Sequence, residues 1–131
     1  LTEAHKNAVL DAIIERTPLI ESALEYGGGT HTVYDIARGV LEGQFQLWVA
    51  PNSVAVTEIV QHPQQKECTV FLCAGVIAEI EAVRPAIEDW AKKHGCARIV
   101  LTGRKGWERV LGASGYKPQW FVLAKELHNE P

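Results

Sequence analysis

Between Cys68 and Thr102 the sequence runs from an apolar segment (Cys68 to Ala74), through a stripe at helical spacing (Ile77, Ile80, Val83, Ile87, Trp90, Ala91), to a second apolar segment (Ala97 to Thr102). Strand, helix, strand in that order requires parallel pairing, and a right-handed crossover carries it. The preceding stretch has the opposite character. Phe45 to Ala50, Val54 to Gln61 and Cys68 to Ala74 are separated only by Pro51-Asn52-Ser53 and His62-Pro63-Gln64-Gln65, which are turn-length connections. Three strands so joined make an antiparallel meander. The expected fold class is therefore α/β, on a mixed, mostly antiparallel sheet with one parallel pair, flanked by helices.

Helices come first in the chain. From Thr2 to Arg16 the residues Ala4, Val9, Leu10, Ile13 and Ile14 fall on one helical face, with Thr2 as the candidate N-cap. Thr17-Pro18 ends that helix and starts LIESALEY, which Gly27-Gly28-Gly29 stops. The triple glycine is read as a hinge, because no strand precedes it and no GK[ST] follows. Thr30 or Thr32 caps a third helix with Val33, Ile36, Ala37, Val40 and Leu41 inward and Gly43 past its end. In the crossover helix, Pro85 either introduces a kink or is the first residue of the main helix after a short turn. Lys92, Lys93 and His94 suit the negative end of its dipole, and Gly95 supplies a left-handed cap.

The last third, Ala97 to Leu127, carries a full set of stop and start signals. Gly103 and Gly106 bracket a basic turn, a helix follows from Gly106 to Ala113, Gly115 ends it, and Pro118 introduces a final strand from Gln119 to Lys125. His128 to Pro131 reads as a loose tail. Arg104, Lys105 and Arg109 surround the start of the last helix, where they either hold an anion or form a solvated turn.

At 131 residues the chain is expected to be one domain, with helices over 1–43 and the mixed sheet with its helices over 44–127. A net charge of -3 without a basic stripe argues against nucleic acid as a partner, and the apolar runs are too short for a bilayer. Cys68, Cys73 and Cys96 are odd in number with no CxxC pair, which fits reduced core thiols and a cytoplasmic setting. No metal is expected, since His31 has no second ligand at metal spacing. Trp48, Trp90, Trp107 and Trp120 fall one to an element and are read as packing residues.

This order of elements, over about Thr32 to Leu127, resembles the GNAT acetyltransferase superfamily. Its members finish their second half with a strand, a small turn, an amphipathic helix and then Gly-Tyr or Gly-Phe. Within it, GRKGWERVLGASGY, LAKEL and AIEDWAKKHGCARIVL look most like the small GNAT-like proteins encoded by tailed bacteriophages. The resemblance implies acetyl-CoA or CoA as cofactor, lying where two parallel strands splay apart. The strand edge would bind pantetheine and the following helix N-terminus the pyrophosphate. Carried onto this chain, the cofactor residues are Leu72, Cys73, Ala74 and Gly75, with Gly103, Arg104 and Lys105 as cations and backbone for phosphate. Glu58, the one acid inside an apolar strand run, is the candidate base acting through water; the alternative is an outward-facing residue on a half-solvated sheet.

The chain also departs from the family pattern. Cys73-Ala74-Gly75-Val76-Ile77-Ala78 stands where Arg or Gln then x-x-Gly-x-Gly or Ala is usual, and Glu79 and Glu81 put negative charge in the next turn. The tyrosine that many members carry five residues before the last aromatic corresponds here to Leu111. The first strand is not evident, and the final hairpin is reduced to one strand. Two functions follow. One is a non-catalytic or weakly active binding or structural protein, a virion or morphogenesis component. The other is an acetyl-CoA-dependent N-acetyltransferase in which the amine attacks the thioester directly. The expected partners are a second copy of the chain or phage virion proteins, in the host cytoplasm or the virion.

Overall fold

A computed structural model describes residues 2–128. Three helices open the chain: α1 (Glu3–Glu15), α2 (Thr17–Tyr26) and α3 (Val33–Leu41). Each starts on a local signal. The Thr2 hydroxyl accepts the His5 N–H at 3.0 Å, Pro18 occupies the first turn of α2, and Thr32 forms a capping box with Asp35. Arg16 sits at the α1–α2 elbow and donates from its guanidinium to the carbonyls of Ala50 and Ser53, the Nη2 to Ala50 bond being 2.7 Å. One arginine thus ties the helical elbow to the first strand turn.

The strands β1 (Phe45–Ala50), β2 (Ser53–Gln61), β3 (Lys66–Gly75) and β4 (Arg98–Leu101) form a sheet in that spatial order. The first two pairings are antiparallel, and β3 with β4 is parallel. Between β3 and β4 runs α4 (Ile77–Lys93), which passes through Pro85 as one helix. Its last turn carries Lys92 and Lys93, and Gly95 follows at φ +79°. α5 (Gly106–Leu111) ends in a 3₁₀ turn over Gly112–Ser114, with Gly115 in the left-handed region.

The sheet has a core on each face. Under α1 to α3 lie Ile13, Ile20, Ile36, Phe45, Val56 and Leu72, and under α4 lie Ala55, Cys68, Ile87 and Ala91. Fully burying a branched aliphatic or aromatic side chain contributes roughly 1.5–3 kcal/mol, so the larger cluster, on the α1 to α3 side, dominates. α3 approaches β1 closely because residue 39 is glycine; a Cβ there would lie 2.3 Å from the Phe45 ring.

Three expectations are corrected. Residues 119–125 form no strand, and among the described residues nothing pairs with the outer edge of β4. A strand exists only against a partner, and this segment stands clear of the sheet, with Phe121 and Leu123 each 95% exposed. Trp120 consequently belongs to no strand and is 56% exposed, its ring lying 5.2 Å from the Arg98 guanidinium carbon. In α1, Ile14 points outward although Ile13 is buried, because the core lies on a narrower stripe than the apolar pattern suggested. Of the expected tail, residues 129–131 lie outside the described residues.

Candidate functional site

The two parallel strands differ in length, and that difference creates the site. Pairing runs from Glu67↔Arg98 to Val70↔Leu101 and stops there, while β3 continues to Gly75. Among the described residues, nothing pairs with the β4 side of β3 past Val70. At the same point Phe71 has no partner on β2, since Thr57 pairs with Val70 and Val56 with Leu72. A bulge of this kind takes one residue out of the ladder and bends the strand. β3 therefore leaves β4 just where its backbone amides and carbonyls become available.

On the α2 side of the opening is a cleft of about 150 Å³. Phe71, Leu72 and Ala74 form its floor, Ser22 and Tyr26 its α2 wall, and Gly103 and Arg104 its far rim. The Arg104 guanidinium carbon lies 4.2 Å from the centre of the Tyr26 ring, so a cation–π pair spans the mouth. On the α4 side is a smaller apolar pocket of about 40 Å³ against Val83, Ile87 and Leu111. Val70, Cys73, Leu101 and Trp107 border both cavities. Burial pushes the Cys73 thiol up to about 11, so it is protonated and a poor nucleophile at neutral pH.

The corner after β3 is closed. Gly75 has φ +127°, and a Cβ there would meet the Asn52 carbonyl oxygen at 2.4 Å and the Ser53 Cα at 2.5 Å. The Val76 N–H donates to the Ser53 hydroxyl at 2.8 Å, and that hydroxyl donates to Glu79 Oε1 at 2.6 Å. The Asn52 N–H donates to the same carboxylate oxygen at 2.9 Å. The Ser53 hydrogen bond leads in holding the Glu79 carboxyl below its ordinary value, with Asn52 adding to it. The anion at the start of α4 is thus the protein's own, and it fastens α4 to the β1–β2 turn.

Behind the apolar pocket, the Tyr116 hydroxyl donates to Glu88 at 2.8 Å, and Arg84 bridges Glu88 and Glu81 at 2.8 Å each. Burial opposes the Glu88 charge, but Arg84 and Tyr116 hold its carboxyl below the usual range. Burial and the Glu88 charge push the tyrosine upward. This arrangement fits a strut joining the chain after α5 to α4 and makes Tyr116 a poor proton donor.

Of the residues singled out in the sequence, Leu72, Cys73, Ala74, Gly103 and Arg104 meet around one cleft. Gly75 is in the closed corner, and Lys105 is exposed at the start of α5. Glu58 stands apart, opposite Phe45 and Thr69 in the ladder and accepting a hydrogen bond from Gln44 at 3.1 Å. His31 lies edge-on to Phe71, with ring centres 4.7 Å apart. The sequence reading missed Tyr26, Phe71 and Trp107 as cleft residues. Only Tyr26 carried a local signal, as the last helical residue before the triple glycine. Among the described residues, no three side chains of metal-ligating type come together and no helix is long and apolar enough to cross a membrane.

No protein-family model matches this chain, nor does any curated protein. Solved structures do resemble it. The tetramutant of the BH1408 protein from Bacillus halodurans has a TM-score of 0.68 at 18% identity, covering 91% of this chain and 96% of its own. A ribosomal-protein-alanine N-acetyltransferase from Brucella melitensis has a TM-score of 0.62 at 13% identity, covering 90% and 95% respectively. An acetyltransferase from Trypanosoma brucei has a TM-score of 0.58 at 12% identity, covering 82% and 92%. At these identities the likeness is one of fold: the chain has the α/β architecture of GNAT-type acetyltransferases.

Proposed function

We propose that this chain is a GNAT-fold protein with little or no acyl-transfer activity, serving as a binding or structural component. The observation that carries this reading is the Glu79 carboxylate at the start of α4, held by Asn52 and Ser53. In an acyl-CoA protein of this fold, the start of that helix is where the pyrophosphate would be held. Here the residues do not fit that group. A phosphate arriving there meets a fixed carboxylate and a Val76 N–H already donated to Ser53, and the Gly75 corner is packed against the neighbouring turn. The free edge of β3 offers hydrogen bonds to an amide-bearing ligand such as a pantetheine arm, without the phosphate anchor. The resemblance of the Gly103 to Tyr116 stretch to phage-encoded proteins favours a role in a virion or its assembly, with host cytoplasm as the site of synthesis.

A second reading, an active acetyl-CoA-dependent N-acetyltransferase, is favoured by one specific feature, the splay of β3 from β4 with its bulge at Phe71. Thiol release from acetyl-CoA, measured with a panel of small amines and lysine-containing peptides, separates the two. The first reading expects the rate to equal the protein-free background. Saturable, amine-dependent release of CoA would establish the second.

A further inference from the structure

We infer that the cleft beside α2 binds the carboxyl terminus of an extended peptide whose last residue is apolar, with Arg104 holding the carboxylate. The inference rests on the reading of this chain as a binding component and supplies the chemistry of its partner.

Charge decides the class of ligand. Among the described residues, the cleft is lined by one cation, Arg104, and by no aspartate, glutamate or histidine. Nor does any described carboxylate pair with Arg104, whereas Arg84 and Arg98 are each bonded to glutamates. A cleft of this sign favours an anion and disfavours an amine.

Geometry narrows the anion to a carboxylate. The Tyr26 ring, 4.2 Å from the Arg104 guanidinium carbon, takes up one side of that group. N–H donors remain on the other side, a fork that matches the two oxygens of a carboxylate. The backbone beneath is fixed as well. The Trp107 N–H donates to the Arg104 carbonyl at 3.1 Å, and the Trp107 ring packs against residue 103, where a Cβ would lie 3.1 Å from it. The cation is therefore in place before a ligand arrives, which lowers the ordering cost of binding.

The rest of the cleft fits what precedes a carboxyl terminus. Across from Arg104 runs the length of β3 that, among the described residues, has no partner on its β4 side. From Leu72 to Gly75 this edge is about 10 Å long at roughly 3.3 Å per residue, enough for about three residues of an extended peptide. The Phe71 and Trp107 rings supply apolar surface for the last side chain. A single amino acid derivative or a fatty acid would use the cation and leave the edge unpaired. A peptide uses both.

Titration of the full chain with acetyl-Ala-Val-Leu bearing a C-terminal carboxylate, followed by calorimetry and amide chemical shifts, tests this. The same peptide as its C-terminal amide, and N-acetyl-leucine, are the controls. The acid is expected to bind with a Kd below about 1 mM, moving the amides from Phe71 to Ala74 and those of Gly103 and Arg104. Both controls are expected to bind at least about 10-fold more weakly, since one loses the charge-assisted bonds and the other the strand edge. Arg104 is exposed, so Arg104→Gln leaves the fold intact, which an unchanged far-ultraviolet spectrum verifies. That variant is expected to bind acid and amide equally, and Arg104→Lys to regain part of the preference. Wild-type protein that binds the acid no better than the amide overturns the inference, as does N-acetyl-leucine matching the peptide, a Kd above about 1 mM for the acid, or shifts that avoid the cleft. None of these failures touches the absence of acyl transfer. That reading falls to amine-dependent CoA release, to which an acetylated peptide contributes no amine.

Discussion

The two halves of β3 are a few residues apart and live in different environments. From Glu67 to Val70 the strand is paired on both sides, and Arg98, His62 and Gln65 converge on the Glu67 carboxylate at its end. Among the described residues, Phe71 is paired on neither side and the strand from Leu72 to Gly75 on one side only, and this half opens onto the cleft. One half locks the parallel pair; the other exposes backbone. The change falls at the bulged Phe71, so a single extra residue separates a structural seam from an unpaired edge. The open half is itself anchored at its far end by the Gly75 corner and by the Glu79 carboxylate, which ties the first turn of α4 to Asn52 and Ser53.

The strongest test of this contrast is at the corner. Gly75→Ala puts a Cβ against Asn52 and Ser53 in a backbone conformation that L-residues avoid, and the expected loss of stability is about 2–4 kcal/mol by chemical denaturation. A loss under about 0.5 kcal/mol, the size of an ordinary surface change, would mean that the open half is not anchored there.

Next in size is thiol reactivity. Cys73 borders the cleft and Cys68 lies in the paired half, yet burial raises both thiols to about 11 from 9.0. With two pH units separating Cys73 from an unperturbed thiol, its alkylation at neutral pH is expected to be about 100-fold slower. Peptide mapping after iodoacetamide treatment reads this residue by residue. A Cys73 that reacts like a free thiol would make the cleft wetter than its burial implies.

The smallest effect concerns the seam. The Arg98 hydrogen bond, with help from His62, holds the Glu67 carboxyl below its ordinary 4.5. Its contribution to stability is therefore full above pH 4.5 and is lost as pH falls through the lower folded value. Urea midpoints for the wild type and Glu67→Gln should differ near neutral pH and converge in acid. A gap that persists well below the folded value would contradict an ionic role for this carboxylate.

Much of this architecture is written locally. The Thr2 and Thr32 caps, the Pro18 start, the meander turns and the crossover each rest on residues near in sequence, and each element appears close to its expected bounds. The bulge at Phe71 is different, because no residue type marks it; it arises from the register that β2 and β3 adopt together. Tyr26 becomes a cleft wall only through the way α2 crosses β3. The segment from Gln119 to Lys125 shows the limit most clearly. Its composition favours a strand, but a strand also needs its backbone laid along an edge, and after Trp120 the segment turns away from β4 into solvent. Likewise, Glu79 was recognisable as unfavourable to phosphate, while its bonds to Asn52 and Ser53 depend on a turn 26 or 27 residues earlier.

Amide chemical shifts during a titration with CoA test directly whether the start of α4 is closed to phosphate. Shifts are expected only along the free edge, from Phe71 to Ala74 and near Gly103, with Val76 to Glu79 unmoved and a Kd weaker than about 1 mM, less than roughly 4 kcal/mol of binding. Saturating shifts at Val76 to Glu79 with a micromolar Kd would contradict it, because the Glu79 carboxylate would then be yielding its place to phosphate.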